Sequence, residues 1–412
     1  MAEKKASDFR YNTGETKVPW AAVGENYNAE DVIEVLHFLM QGSGEAYETA
    51  MKAVEQDVLA LGKVSEPPAK LSVDRKVAEA EDLCDQYLHT KGSTFVTNCT
   101  AGFEIAGKYA NLQPGDEVIV PAITFIATMA YPLSVGCKLV FADVDPKTLN
   151  MDPRDVERKI TDKTKLIIPV HMGGYPVDMD PIMELARKHD ILVLEDAAHG
   201  FGGASEGGIV CTNIAPFRED MRRARFLGAD FSRKIDRWLY DVTACRGKYG
   251  PFVAGNASTT EIQALGLILQ LRRIDKIIAE RRAAAEYLNS RLSGCDALTV
   301  QDLGNEEIKP TFHLYHLQLD PQKTGGRDVQ VLKQKLAEKG VTEIAHFGPL
   351  YRFSILKDFG YDEHAIAASC PNCEEVFYHR YTHFPIYGLS KEQLDYMADA
   401  ILQSVEEMKQ GI

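Results

Sequence analysis

"KLIIPVHMGGYPVDMDPIMELARKHDILVLEDA", Lys165 to Ala197, reads as strand, helix, strand. KLIIPV and ILVLEDA are apolar on both faces, and DPIMELARKHD between them has helical patterning. Such a unit is a right-handed crossover in a parallel sheet. The alternation continues towards the N-terminus, with STFVTN, EVIVPA and KLVFADV as strands and Ala101–Leu112, TFIATMAYPLSVG and DPRDVERKI as helices. The first of these helices stops before the turn QPGD. The fold class is α/β, a mostly parallel sheet flanked by helices, and ligands are expected at the carboxyl ends of the strands.

Composition narrows the partners. A chain of 412 residues, 45% hydrophobic and 26% charged, is long enough for one large core and a second, smaller domain. The net charge is −14 with no basic block, which argues against nucleic acid and anionic membrane. The polar opening MAEKKASDFRYNTGETK lacks an apolar targeting segment and no run approaches membrane-spanning length, so a cytoplasmic protein is expected. Most of the eight cysteines sit singly in apolar runs, as buried thiols do in a reducing compartment. Cys370 and Cys373 have C-x-x-C spacing, and His379 and His383 follow. No second matched pair exists and FYHRYTHFPIY also reads as a core strand, so no metal site is assigned.

The strand ends carry polar groups. Asn98, Cys99 and Thr100 lead from the first strand into a helix, whose N-terminus suits an anion such as phosphate. A plain N-cap by Thr97, Asn98 or Thr100 accounts for the same residues. Phe125 follows the second strand, placed to cover a flat ligand or to fill the core, and His171 follows the fourth. Glu195, Asp196 and His199 follow the fifth. A carboxylate ending a buried strand is costly without a cation or several donors, so Asp196 calls for a positive partner.

Ser258 and Glu261 in STTE form a capping box opening a helical stretch to about Leu292. Beyond it lie the strand HLYHLQLD, the helix DVQVLKQKLAEKG and a final amphipathic helix from Lys391 to about Met408. The chain divides into an N-terminal helical segment, 1–92, with an insertion near 42–74; a large α/β domain, 93–260; a linking helix, 261–295; and a small C-terminal α+β domain, 296–412.

The blocks TNCTAGFEIA, PGDEVIVPAITFIAT, FADVDPKTLNMDP, PVHMGGYPVDMDPI, LVLEDAAHGFGG, EGGIVCTN, GNASTTEIQALGLILQLRRID and HFGPLY, in this order, resemble the DegT/DnrJ/EryC1/StrS family. These are sugar aminotransferases of the fold-type-I PLP (pyridoxal 5'-phosphate) enzymes. The resemblance implies PLP bound in the large domain, transfer of an amino group from glutamate or glutamine to a nucleotide-linked keto sugar, and a homodimer. It places Thr100 and Ala101 at the cofactor phosphate, Phe125 on the pyridine ring, and Asp196 on the protonated ring nitrogen. His199 falls near the phenolic oxygen, and Asn256 reaches from one subunit to its partner's cofactor phosphate.

Two departures stand out. Cys99 occupies a position where many relatives have glycine, a local cost if the backbone there needs positive φ or close phosphate approach. More seriously, the family continues from EDAAHGFGG through a strand ending in Phe-Ser to a lysine that forms the Schiff base, and only then reaches the GEGG strand. Here Ala204 and Ser205 run directly into EGGIVCTN, so strand and lysine are both missing. That strand lies between LVLEDA and GGIVC in the family, and its loss leaves two ladder rows unpaired unless GGIVC pairs with LVLED or a neighbouring segment fills the gap. Lys234 in GADFSRKID echoes Phe-Ser-x-x-Lys but follows the EGG strand and also reads as a solvated loop lysine; it is a weak candidate for the Schiff-base role, with His199 available for acid–base work. The alternatives to an active aminotransferase are a non-catalytic member that binds PLP or a partner, or an incomplete sequence of an active enzyme.

Overall fold

The computed structural model describes residues 27–66, 71, 75–200, 208–229, 242–341 and 347–412. Lys234 and the junction from Ala204 to Glu206 lie outside the described residues. Helices α1 (Ala29–Leu39), α2 (Glu45–Gly62) and α3 (Arg75–Leu88) come first. Asn28 and Asp31 form a reciprocal capping box on α1. Met51 is the only buried residue of the α1–α2 pair, so this pair, which holds most of the described part of the insertion, stands off the core.

The alternating region follows: β1 (Ser93–Val96), α4 (Cys99–Ala110), β2 (Glu117–Pro121), β3 (Ile123–Thr124), α5 (Ala127–Ser134), β4 (Lys138–Ala142), α6 (Pro153–Lys159), β5 (Thr164–Ile167), α7 (Met179–His189) and β6 (Leu192–Val193). Four of these strands form a parallel sheet in the order β4-β2-β5-β6. Val118, Ile119 and Val120 of β2 are fully buried, as helices on both faces of a parallel strand require.

The next strand, β7 (Gly208–Cys211), pairs antiparallel with β1 in a separate two-stranded sheet. Pairing of GGIVC with LVLED, one way to close the expected gap, therefore does not occur. The run ILVLEDA, expected as a full strand, narrows to Leu192 and Val193 plus one bridge between Val170 and Asp196. Leu192, Val193 and Leu194 are only partly buried, unlike the residues of β2. Among the described residues β6 has a neighbour on one side only, and a strand with one neighbour has half the ladder and half the cover of a central one, which accounts for both changes.

The outer edges are closed by side chains. Glu81 of α3 accepts from the amide of Phe95 in β1 at 3.0 Å and pairs with Arg225, whose guanidinium donates to the Phe95 carbonyl. Glu81 and Arg225 are 2% and 5% exposed. Removing one charge of a buried pair strands the other, so Glu81→Gln is expected to cost about 3–5 kcal/mol. Urea unfolding of the variant checks this, and an unchanged midpoint would contradict it.

After α8 (Ala215–Arg225) and the hairpin β8 (Cys245–Gly247) and β9 (Gly250–Phe252), the linking region differs from expectation. It forms two helices, α9 (Glu261–Leu271) and α10 (Ile274–Leu292), and the capping box is Thr260 with Gln263 instead of Ser258 with Glu261. The Glu261 carboxylate accepts from the amides of Lys76 and Val77 at the start of α3. Helix α9 packs with α3 beneath Phe95, whereas the second half of α10 joins the C-terminal core.

That core is built from β10 (Leu298–Val300), β11 (Tyr315–Leu319) and α11 (Val329–Glu338), then β12 (Gly348–Pro349), α12 (Ile355–Asp358), α13 (Glu363–Ser369), α14 (Pro371–Glu375), β13 (Tyr381–Phe384) and α15 (Lys391–Gln410). The antiparallel sheet β10-β11-β13 lies under α10, α11 and α15. Strand β12 returns to the large domain and pairs with β3. FYHRYTHFPIY is a strand only over Tyr381–Phe384, and Val376–Arg380 is a π-helical turn. Cys370 contacts the Phe141 carbonyl, Cys373 contacts the Tyr351 hydroxyl, and His379 meets Asp328, so the C-x-x-C residues and His379 serve packing and local hydrogen bonds. No helix among the described residues is long and apolar enough to cross a membrane.

Candidate functional site

Asp196 closes β6 at its carboxyl end and is 6% exposed. The Ala198 amide donates to Oδ1 at 3.0 Å, and the Thr128 hydroxyl donates to Oδ2 at a long 3.4 Å. No cation among the described residues reaches ion-pair distance of this carboxylate. Burial pushes its pKa above the usual carboxylate value, against weaker lowering by the Ala198 amide, His171 and Thr128. The positive partner called for by the sequence is therefore not supplied by a described side chain.

His171 and His199 flank it on ordered loops. The Val177 amide donates to His171 Nδ1, which leaves Nε2–H to donate to Glu195 at 3.0 Å. This hydrogen bond holds the Glu195 carboxyl below its usual range. His199, 6% exposed, accepts from the Gly173 amide at Nδ1, so in its neutral form the proton sits on Nε2. Its ring stacks on His313 with centroids 4.6 Å apart. Gly173 has φ +60°, and a Cβ there would lie 1.8 Å from His316 Nε2, so only glycine fits between the two histidines. His316 is buried, and desolvation pushes its pKa down to about 3, holding it neutral.

Helix α4 begins beside Asp196. Asn98 is the realised N-cap, its side chain accepting from the Ala101 amide at 2.9 Å. The Cys99 and Thr100 amides have no backbone acceptor among the described residues, so two donors and the positive helix end face outward. Cys99 is solvent-accessible as a residue, but its thiol is recessed and its pKa is pushed up to about 12, first by desolvation and then by the charge of Asp196. Gly208 of β7 packs against this turn, where an added Cβ would lie 2.3 Å from the Asn98 carbonyl. Gly208→Ala must displace the start of α4 and is expected to cost about 1–3 kcal/mol. The check is thermal unfolding, where a change under half a kcal/mol would show that the turn yields freely.

Phe125 is 47% exposed at the mouth, ahead of α5. Asn256 is exposed, bridges to Phe226 and accepts from the Ser258 amide. The structure thus gathers Asp196, His199, Thr100 and Ala101 around the carboxyl ends of β1 and β6. His313 and His316 were not singled out from the sequence; the alternating His-Leu-Tyr-His of the β11 region was the available signal.

A buried carboxylate with no cation beside it among the described residues, an outward helix N-terminus and a histidine at the strand ends fit the pyridinium, phosphate and phenolic groups of PLP. The architecture is that of fold-type-I PLP aminotransferases. The model of the DegT/DnrJ/EryC1/StrS aminotransferase family matches residues 63–205 and 203–402, and the chain belongs to this family. It is therefore an aminotransferase-family protein, and the family is PLP-dependent. The chain is similar to the GDP-perosamine synthase of Caulobacter vibrioides, 31% identical over 73% of this chain and 83% of that protein. It is also similar to a spore coat polysaccharide biosynthesis protein of Bacillus subtilis, 29% identical over 82% of this chain and 91% of that protein. Among solved structures, 3-amino-5-hydroxybenzoic acid synthase superposes with a TM-score of 0.69 at 25% identity, covering 81% of this chain and 91% of that one. The two family-model matches meet at residues 203–205, between β6 and β7.

Proposed function

We propose that this chain binds PLP on the scaffold of enzymes that aminate nucleotide-linked keto sugars, and that as written it does not turn over because it lacks the lysine that would hold the cofactor. Buried Asp196, with no cation among its described partners, carries the reading. Bound PLP supplies an electron sink for amino-group transfer. Asp196 would keep the ring nitrogen protonated, and Phe125 would cover the ring face. The first turn of α4, at Thr100 and Ala101, would take the phosphate through the outward Cys99 and Thr100 amides, while the Ala101 amide, held by Asn98, orders the turn. His199, with Nδ1 engaged by Gly173, would present Nε2–H to the phenolic oxygen.

The missing lysine rests on the direct run of the sequence from Ala204 to Glu206, with no lysine between LVLEDAAHGFGG and EGGIVCTN, and the placement of β6 and β7 in separate sheets supports it. Glutamate or glutamine as donor and a keto sugar as acceptor follow from the resemblance. The same holds for the homodimer in which Asn256 would reach the partner's cofactor phosphate, while the cytoplasmic location is proposed from the polar opening and the lack of a run of membrane-spanning length. The four-part division of the chain is proposed with it, with α9 and α10 as the linking region. Equilibrium dialysis with PLP, combined with sedimentation equilibrium, tests this. Saturable binding of one PLP per chain in a dimer, weakened roughly tenfold or more by Asn256→Ala, is expected. Absence of saturable binding would overturn it.

A further inference from the structure

His199 follows β6 in the large domain, yet its position is set from the C-terminal core. Just ahead of β11, residues 311–314 run beside the turn at Gly173 and Gly174. The Thr311 amide donates to the Gly174 carbonyl at 2.9 Å, and the Leu314 amide donates to the Gly173 carbonyl at 3.1 Å. The Gly173 amide in turn donates to His199 Nδ1, so the donor that selects the His199 tautomer is itself anchored by this segment. The Thr311 hydroxyl donates to the His199 carbonyl at 2.8 Å, which fixes the main chain. His313 lies against the His199 ring at an interplanar angle of 15°, which fixes the ring plane. One four-residue segment thus reaches the main chain, the ring and the hydrogen-bond donor of His199.

The backbone is bent to allow this. Phe312 has φ +51°, a left-handed conformation that a bulky residue rarely adopts and that costs stability. Its side chain is fully buried in the C-terminal core, 5.0 Å from the Arg282 guanidinium, which holds the bend. In an extended chain the amides of residues three apart point to opposite sides. The bend at Phe312 lets those of Thr311 and Leu314 both meet the glycine turn. On the turn's side the fit is equally close, since a Cβ at Gly174 would lie 2.2 Å from the Thr311 hydroxyl oxygen.

We propose that Thr311 and His313 are positioning residues for His199, so that docking of the C-terminal core completes the cofactor site. The proposal rests on the reading that places His199 Nε2–H at the phenolic oxygen of PLP. Both residues act through His199. A ring released from them would hold the productive orientation for only a fraction of the time, and affinity falls by that fraction.

The test uses the full chain and PLP, and reads the His199 ring separately from cofactor binding. Nitrogen NMR of the imidazoles in the cofactor-free chain should show His199 with its proton on Nε2. In His313→Ala the signals should move towards the Nδ1–H tautomer, and equilibrium dialysis should show PLP held about tenfold more weakly. His313→Phe restores a flat ring and should return the His199 signals to those of the parent and the affinity to within about threefold of it. Thr311→Val removes the hydroxyl at nearly constant shape and keeps the test if His313→Ala fails to fold. It should move the same signals and weaken PLP binding about threefold. Unchanged His199 signals in these variants would overturn the proposal. So would weaker PLP binding with unchanged ring signals, which marks a merely structural role, or no recovery with His313→Phe. A parent chain that does not bind PLP would instead refute the cofactor reading, and the His199 signals would still decide whether residues 311–314 hold the ring.

Discussion

Inserting a lysine-bearing strand between Ala204 and Ser205, taken from the Caulobacter vibrioides GDP-perosamine synthase, is expected to raise the glutamate half-reaction by roughly 10³-fold or more over the chain as written. Positioned proton transfer alone contributes about 10²–10⁴-fold, and neither Asp196 nor His199 replaces it. Asp196 is acceptor-only when ionised and is buried at the strand end, and His199 has one ring nitrogen committed to the Gly173 amide. The same insertion with its lysine changed to alanine should recover stability without turnover, because the edges of β6 and β7, unpaired among the described residues, gain a neighbour in either case. That pair of variants separates scaffold from chemistry. The matching measurement on the unaltered chain is borohydride reduction with PLP followed by peptide mass mapping, where no lysine should carry a pyridoxyl group. A pyridoxyl group on Lys234, or turnover by the unaltered chain near that of the inserted one, would refute the expectation. Sequencing the source DNA across this junction decides whether the missing segment belongs to a natural form of the protein.

The sheet was legible because its signal is local. β2, β4 and β5 lie within runs that are apolar on both faces, and α6 and α7 lie within their helical patterns. ILVLEDA carried the same signal, yet a strand needs a ladder as well as a pattern, and among the described residues it has a neighbour on one side only. The capping box shows a different limit. Ser258 with Glu261 and Thr260 with Gln263 both satisfy the motif, and the choice depends on Glu261 being engaged by α3, 185 residues away in sequence from Lys76. The Glu81–Arg225 closure of β1 is also long-range and has no sequence signature. At the site, the demand of Asp196 for a cation was readable from its position after a buried strand. The histidines were not, because β11, beside His313 and carrying His316, meets the Gly173 turn only after the two domains pack.

Replacing Asp196 with asparagine should move stability and cofactor affinity in opposite directions. Without cofactor, burial raises the pKa of Asp196 in the folded state above its unfolded value. The folded form therefore holds the proton more tightly, and the resulting stability is present in full below the unfolded pKa. It is lost as pH rises from the ordinary carboxylate range through the folded pKa, so towards neutral pH the fold bears the cost of a carboxyl group that burial makes hard to ionise. Asparagine keeps the shape and the acceptor for the Ala198 amide but never ionises. The variant should match the parent in acid and exceed it near pH 7 by about 1–3 kcal/mol, read from urea midpoints across pH. With PLP the sign reverses, because a charged hydrogen bond to the ring nitrogen becomes a neutral one and affinity should fall at least about tenfold. A variant that is less stable than the parent near pH 7 and binds PLP equally well would show that Asp196 has its charge compensated inside the protein, and the cofactor assignment would lose its main support.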